Sequence, residues 1–325
     1  MDIAEKVNIE KIEKTGKRVK AKKTNKIGRM NTWQLYSMCG LPMLFIIVFN
    51  YLPMAGIILA FKDYRYEKGI FGSDWVGFKY FDFFINSNEF MLITWNTLYL
   101  NLLFIMVGTA AAVIVALLIF EIKSRTATKI IQTTLITPHF LSWVVVGYMS
   151  YAFLNPKFGL LNTFMDMLGM TPINWYSTPD AWPAILTIVS TWKNVGLDSI
   201  IYYAALMSID VSYFEAAALD GAGKLKIIRY IILPFLVPLL TMLTILKIGG
   251  IFRADFGLFY QLTRDMGQLY SKTDVIDTYL YRTMRVMNDM SLSTAIGLLQ
   301  SVVGFVLVII TNYVSKKIDT ENALF

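Results

Sequence analysis

The sequence predicts an all-α membrane protein of about six spanning helices with a short helix between the fourth and fifth, and three observations carry that fold class. First, 56% of the 325 residues are hydrophobic and 16% charged, with a mean hydropathy of +0.52, a balance too apolar for a soluble domain. Second, the apolar residues gather in long unbroken stretches. Hydrocarbon about 30 Å thick takes roughly 20 helical residues to cross, and a helix meets all its backbone hydrogen bonds within one segment. Third, the net charge of +7 is concentrated at one end: residues 1–30 hold ten Lys/Arg against Asp2, Glu5, Glu10 and Glu13. The rest of the chain is near neutral, which leaves no basic face for nucleic acid. Residues 1–30 therefore read as a basic cytoplasmic arm that orients the first span or touches anionic lipid headgroups, and residues 31–325 as one membrane domain.

The expected spans are about 33–61, bent at Pro42 and Pro53; about 92–120; about 130–154; about 183–208; about 234–256, opening at Pro234; and about 292–314. With the N-terminus inside, segments on the cytoplasmic side hold eighteen Lys/Arg and the outer loops nine. The positive-inside rule then puts both termini in the cytoplasm, in a multi-pass plasma-membrane protein. No cleavable signal peptide is expected, because the first apolar run starts only near Leu35, after a long charged arm. The outer loops, about 62–91, 155–182 and 257–291, carry enough Trp, Tyr and Phe to be ordered. Those aromatics suit either a partner outside the cell or anchoring at the membrane interface.

Several chemistries find no support. Cys39 and His139 each stand alone, so neither a disulfide nor a metal site is expected. Gly221-Ala222-Gly223-Lys224 resembles part of a phosphate loop, but position 218 is Ala and 225 is Leu where the motif needs Gly and Ser/Thr. No HExxH or GxSxG occurs. The chain is expected to be neither an enzyme nor a binder of its own cofactor or metal.

The most informative stretch is Ser212-Tyr213-Phe214-Glu215-Ala216-Ala217-Ala218-Leu219-Asp220-Gly221-Ala222. Ser212 and Glu215 have the spacing of a capping box, the alanines favour helix, and Asp220-Gly221 suits a stop at positive φ. A second helix bearing Lys224, Lys226 and Arg229 should run to Pro234. The result is a short helix on the cytoplasmic side with small residues exposed, shaped for a groove on another protein or for the membrane surface.

Here the sequence resembles the permease subunits of ATP-binding-cassette importers. Their EAA motif, E-A-A, three residues, G, nine residues, then I-x-L-P, is matched by Glu215, Ala216, Ala217, Gly221, Ile231, Leu233 and Pro234. The run from Trp192 to Ala222 is similar to carbohydrate-importer permeases, with Met207 where Gln is common. FGLFYQ, VIDTYLYR and the terminal ENALF are similar to the polysaccharide and aldouronate branch. The resemblance implies a coupling helix docking through Ser212, Glu215, Ala216, Ala217, Asp220, Gly221 and Ala222 on one of two cytoplasmic ATPase subunits, which bind the ATP and magnesium. It also implies a homologous second permease and an extracellular solute-binding lipoprotein. A secondary transporter driven by an ion gradient is the alternative class, and it predicts inverted repeats that the sequence does not display.

Charges inside spans are costly and usually face a cavity or a partner. Lys193 and Lys247 fall near the bilayer midplane and are expected to line the path of a sugar, meeting the carboxylates of a uronic acid. Trp192, Tyr203 and Phe252, like Trp143 and Tyr202, offer faces for sugar rings or serve as packing. Pairing of Lys193 with Asp198 and of Arg253 with Asp255 is the structural alternative.

Overall fold

The computed structural model describes residues 32–318; the basic arm and the terminal ENALF lie outside the described residues. The chain divides into two compact units after Gly56. In the first, α1 (Thr32–Ile46) passes into a π-turn at Ile47–Tyr51, from which a 3₁₀ run, Leu52–Phe61, leads out of the unit.

The second unit opens on a hairpin of two-residue antiparallel strands, Lys62–Asp63 and Asp74–Trp75, and a short helix, Lys79–Ile85. The ring of Phe61 packs on Trp75, Phe78 and Phe81 at 5.4 to 5.8 Å, so this aromatic loop is ordered as its composition predicts. Ser87 caps α2 (Asn88–Phe120) by accepting from the Phe90 amide. Then come α3 (Arg125–Ile136), a 3₁₀ turn at Thr137–Phe140, α4 (Trp143–Leu154), α5 (Trp182–Leu206) and α6 (Val211–Leu219). The last stretch holds α7 (Leu233–Gly249), α8 (Phe256–Thr263), α9 (Ile276–Arg285) and α10 (Met290–Ile318).

Among the described residues, four helices are long and apolar enough to cross a membrane: Tyr36–Phe61, Asn88–Phe120, Lys224–Gly249 and Met290–Tyr313. Six crossings result if each of two bent pairs counts as one, in agreement with the expected number. The bends are corrections to it. The expected third span is not one helix: α3 with its 3₁₀ turn meets α4 at 97°, because Leu141 and Ser142 are extended and Ser142 caps a new helix at the Val145 amide. The fifth span begins at Lys224, not at Pro234, and ends at Gly249, short of 256. Pro234 is accommodated by a π-turn at Ile228–Ile232, where the Leu233 amide reaches back to the Ile228 carbonyl. The Leu52 amide does the same to Ile47 just before Pro53. Proline lacks an amide and crowds the carbonyl four residues back, and a widened turn absorbs both defects without ending the helix.

Packing centres on α2 against α5. Ala112 and Ala116 bring α2 close to Tyr202 and Leu206, the small-against-large fit that lets helices associate where lipid removes most of the hydrophobic drive. Gly196 does the same for α3: a Cβ there would collide with the Leu135 carbonyl. A second cluster joins α2, α4, α5 and α8 through Leu100, Val146, Trp182 and Phe259, and a third joins α2, α9 and α10 through Ile93, Ile276 and Ile296. Polar pins reinforce them. Thr97 Oγ1 accepts from the Ile276 amide at 3.0 Å, and Asn96 donates to the Asp274 carbonyl at 3.1 Å. Arg282 binds Asp274 and Asp265 and lies 4.0 Å over the Tyr270 ring. Burial pushes the Asp274 carboxyl upward in pKa, and Arg282 opposes that shift.

Candidate functional site

The stretch Asp210 to Ile232 is a device built from local interactions. Asp210, not Ser212, caps α6: its carboxylate accepts from the Ser212 amide at 2.9 Å. The capping box expected between Ser212 and Glu215 is therefore absent, because the amide that Glu215 would reach is already taken. An aspartate directly ahead of a helical run is itself a cap signal, and the sequence offered it. At the other end the expected stop is in place. Gly221 has φ +69°, the Ala222 amide bonds the Ala217 carbonyl at 2.9 Å, and the Gly221 amide bonds Ala218 at 3.1 Å. This is the paired closure of a Schellman motif.

The helix so framed turns 72° from α5 and buries none of its residues. It is held from beneath by Phe214 on Phe120 and by Tyr213 on Phe235, with rings 5.8 and 5.5 Å apart, while Lys224 pairs with Glu121. Ser212, Glu215, Ala216, Asp220 and Gly221 are exposed, and Ala217 and Ala222 half-buried. The Glu215 side chain makes no hydrogen bond or ion pair with any described residue. Leu219 and Leu225 are 91% and 82% exposed, leaving an apolar surface that no described residue covers.

The interior is organised by the break between α3 and α4. Lys193 is buried at 6% exposure, and its ammonium donates to the carbonyls of Pro138, His139 and Leu141 at 3.3, 2.6 and 2.7 Å. It also sits 5.1 Å from the Trp143 ring. Its donors are consumed in satisfying a helix end, where the Pro138 carbonyl also accepts from the Leu141 amide at 3.2 Å. The expectation that Lys193 faces a transported sugar is thereby corrected. The alternative pairing with Asp198 fails too, since residues five apart on a helix lie about 140° apart around the axis. Asp255 does not take Arg253 as its partner either: it caps α8 at the Leu258 amide and accepts from Trp143 Nε1 at 2.7 Å.

Asp198 instead pairs with Lys247 of α7 at 2.7 Å, with side chains 24% and 35% exposed. The pair borders a cavity of about 360 Å³ lined among others by Asn101, His139, Asn194 and Arg253. His139 Nδ1 and Asn194 Oδ1 are 3.1 Å apart, and Asn101 donates to the Ile251 carbonyl at 2.9 Å. Arg253 is exposed and forms no ion pair among the described residues. Of the residues expected on the path, Lys247 lies on this cavity. Trp192 borders a separate apolar depression with Val146 and Phe153, Tyr203 packs in the α2–α5 cluster, and Phe252 packs toward α9 and α10. Arg253, Asn194 and His139 were not singled out together from the sequence, because residues 139, 194 and 253 meet only through the fold.

Residues 105–320 match the family model described as binding-protein-dependent transport system inner membrane component. The chain is 37% identical over 280 residues to Protein LplB of Bacillus subtilis (strain 168), covering 86% of this chain and 87% of that protein. It is 34% identical over 278 residues to the polygalacturonan/rhamnogalacturonan transport system permease protein YteP of the same organism, covering 86% of each. Its fold is similar to the crystal structure of a bacterial ABC transporter involved in the import of the acidic polysaccharide alginate. That match has a TM-score of 0.80 and 32% identity, and covers 88% of this chain and 96% of the other.

Proposed function

The chain belongs to the inner membrane components of binding-protein-dependent transport systems, and from that premise we propose that it forms half the path of an ATP-driven importer of acidic oligosaccharides. It carries no ATPase site of its own. Separate cytoplasmic ATPase subunits, binding ATP and magnesium, dock on α6. A homologous second permease completes the path, a solute-binding lipoprotein delivers the sugar from outside, and both termini lie in the cytoplasm.

The observation that carries this reading is the construction of α6: capped at both ends, seated on Phe120 and Phe235, yet presenting Glu215 and Leu219 outward unpartnered. A helix ordered by its own chain but satisfied only by another protein can transmit force without refolding. ATPase closure would displace α6 as a rigid body, and its seat on the ends of α2 and α7 would carry that displacement into the spans. Coupling then requires two states that nucleotide and binding protein bias together.

The acidic class rests on the charge of the cavity. Arg253 forms no ion pair among the described residues and acts only at longer range on Asp277, and Lys247 is shared with a single carboxylate. A uronate entering that cavity replaces lost hydration with charge-assisted hydrogen bonds, whereas a neutral sugar leaves Arg253 unmet. Two relatives are named for uronic-acid polymers or an acidic polysaccharide, which supports the same class.

Uptake of oligogalacturonate into membrane vesicles tests the proposal, with Gly221→Val as the diagnostic variant. A β-branched residue at φ +69° strains the stop by about 1–2 kcal/mol, so α6 should lose its frame and ATP-dependent uptake fall about tenfold or more. Full uptake by that variant, or purification of the wild type without any ATPase subunit, would overturn the docking role.

A further inference from the structure

We infer that the seam between α4 and α8 holds a second sugar subsite, distinct from the cavity at Asp198 and Lys247, that takes one hexuronate ring of the cargo. The inference rests on the sugar-importer reading and adds a site to it. The seam encloses a pocket of about 170 Å³, small enough to suit a single ring, and lined chiefly by Tyr148, Tyr151, Tyr260, Gln261 and Arg264. It shares no lining residue with the larger cavity.

The pocket exists because the two helices approach closely at one point and diverge beside it. A Cβ on Gly147 would lie 2.8 Å from the Gln261 carbonyl, so only glycine allows this contact. Tyr148 and Tyr151, three apart, then stand along one wall of the concavity and Tyr260 with Gln261 along the other. Arg264 closes the end. It is the C-cap of α8 in the left-handed region, φ 57°, and Asp265 follows at φ 50°. Glycine is the residue that such a helix stop favours, and a larger side chain there costs about 1 kcal/mol. The turn swings the guanidinium back over the Tyr151 ring, 4.1 Å from its centroid.

What this places in the pocket is a pre-positioned cation with unspent donors. Arg264 makes no hydrogen bond and no ion pair with any described residue; it sits over the Tyr151 ring and acts electrostatically on Tyr176. Arg282, in the last turn of α9, is the contrast, engaged by Asp265, Asp274 and two tyrosine rings. Gln261 and Tyr148 likewise spend no side-chain polar atom on a described residue. Tyrosine faces suit the C–H face of a pyranose, the guanidinium edge fits a carboxylate in a two-pronged bond, and the glutamine amide reads ring hydroxyls. A neutral hexose would use the faces but not the fork. The concave shape and ring size favour a sugar over the side chain of a docking protein.

The test is binding of digalacturonate, with cellobiose as the neutral control, to the full-length chain purified with the subunits that accompany it. Arg264→Gln should weaken digalacturonate about tenfold and leave cellobiose unchanged, and Tyr148→Ala should weaken both. Arg264→Gly separates folding from binding: relief of the left-handed strain should hold or raise the unfolding midpoint while digalacturonate affinity still falls. Wild-type affinity for digalacturonate in both arginine variants overturns the subsite and leaves the importer reading standing. If the wild type binds neither sugar, the importer reading itself falls. If Arg264→Gln weakens only capture of the solute-binding protein, the seam is a protein contact and the subsite is overturned.

Discussion

Helix α6 and the helix break at residues 137–142 solve the same problem, a helix end that needs partners, in opposite ways. At α6 every cap comes from within a few residues: Asp210 at the start, Gly221 and Ala222 at the end. At the break, Ser142 and the Leu141 amide on Pro138 are local, but the carbonyls of His139 and Leu141, and Pro138 with them, are met by Lys193 from 52 to 55 residues away. Water at a membrane surface forgives an imperfect end, so local caps suffice there and the outer face stays free for a partner. Hydrocarbon does not, so the interior spends a charged side chain on closing its own backbone. In this permease, an exposed polar residue without a partner is thus a stronger pointer to function than a buried charge.

The largest expected effect breaks that contrast directly. Lys193→Met keeps the length of the side chain but takes a donor from the His139 and Leu141 carbonyls, leaves Pro138 with the Leu141 amide alone, and removes the contact with Trp143. It should cost about 3–5 kcal/mol and lower both yield and unfolding midpoint in detergent. Glu215→Ala should leave the midpoint unchanged while weakening association with the ATPase. A stable Lys193→Met protein would mean that the break is not held by the ammonium.

A smaller effect is expected at Asp198 and Lys247. The pair is close, at 2.7 Å, but both side chains are partly open to the cavity, so solvent screens it. A double-mutant cycle with Asp198→Asn and Lys247→Gln should give a coupling of about 1 kcal/mol. A coupling near zero would free Lys247 to serve the cargo alone.

The caps of α6 supply a local comparison. Asp210→Ala removes the side chain that holds the Ser212 amide, so hydrogen exchange at the first amides of α6 should speed up. Ser212→Ala should have a smaller effect, because the Asp210 carboxylate holds the backbone amide first and the serine hydroxyl second. The reverse order of effects would restore the capping box that the spacing of Ser212 and Glu215 suggests.

These differences explain which parts could be read from the chain. The number of spans, with each bent pair counted as one, and the glycine stop depend on hydropathy and on neighbours within five residues, and both are as the sequence puts them. The broken third span was hidden even though its first half, α3, carries Thr126, Lys129 and Gln132 among its apolar residues, because the cue, Thr137-Pro138 followed by Ser142, is easily read as a mere kink. Pro234 was taken for a helix start because proline favours the first turn, whereas a π-turn lets it sit inside. Lys193 could not be placed by any local rule: its depth in the span is legible, but the carbonyls that claim it belong to another segment. The same holds for the meeting of Asp198, Lys247 and Arg253, which lie on two helices and the turn after one of them.

The smallest expected effect completes the contrast between lysines. Lys224 and Glu121 approach within 2.5 Å, as short as any ion pair among the described residues, yet their side chains are 78% and 46% exposed. Distance alone would rank this pair with the one made by Arg282, and exposure overrules distance. In water each charge keeps most of its hydration when the pair opens, and holding two long side chains together costs rotamer freedom, so Lys224→Gln should shift stability by less than about 0.5 kcal/mol. Raising salt should shrink even that. Phe214 and Tyr213, which seat α6 through ring contacts, do not depend on the pair, so exchange protection of α6 should be unaltered in the variant. A loss of protection comparable to that of Asp210→Ala would show that α6 is held by charge as well as by its seat, and would narrow the difference between the two regions.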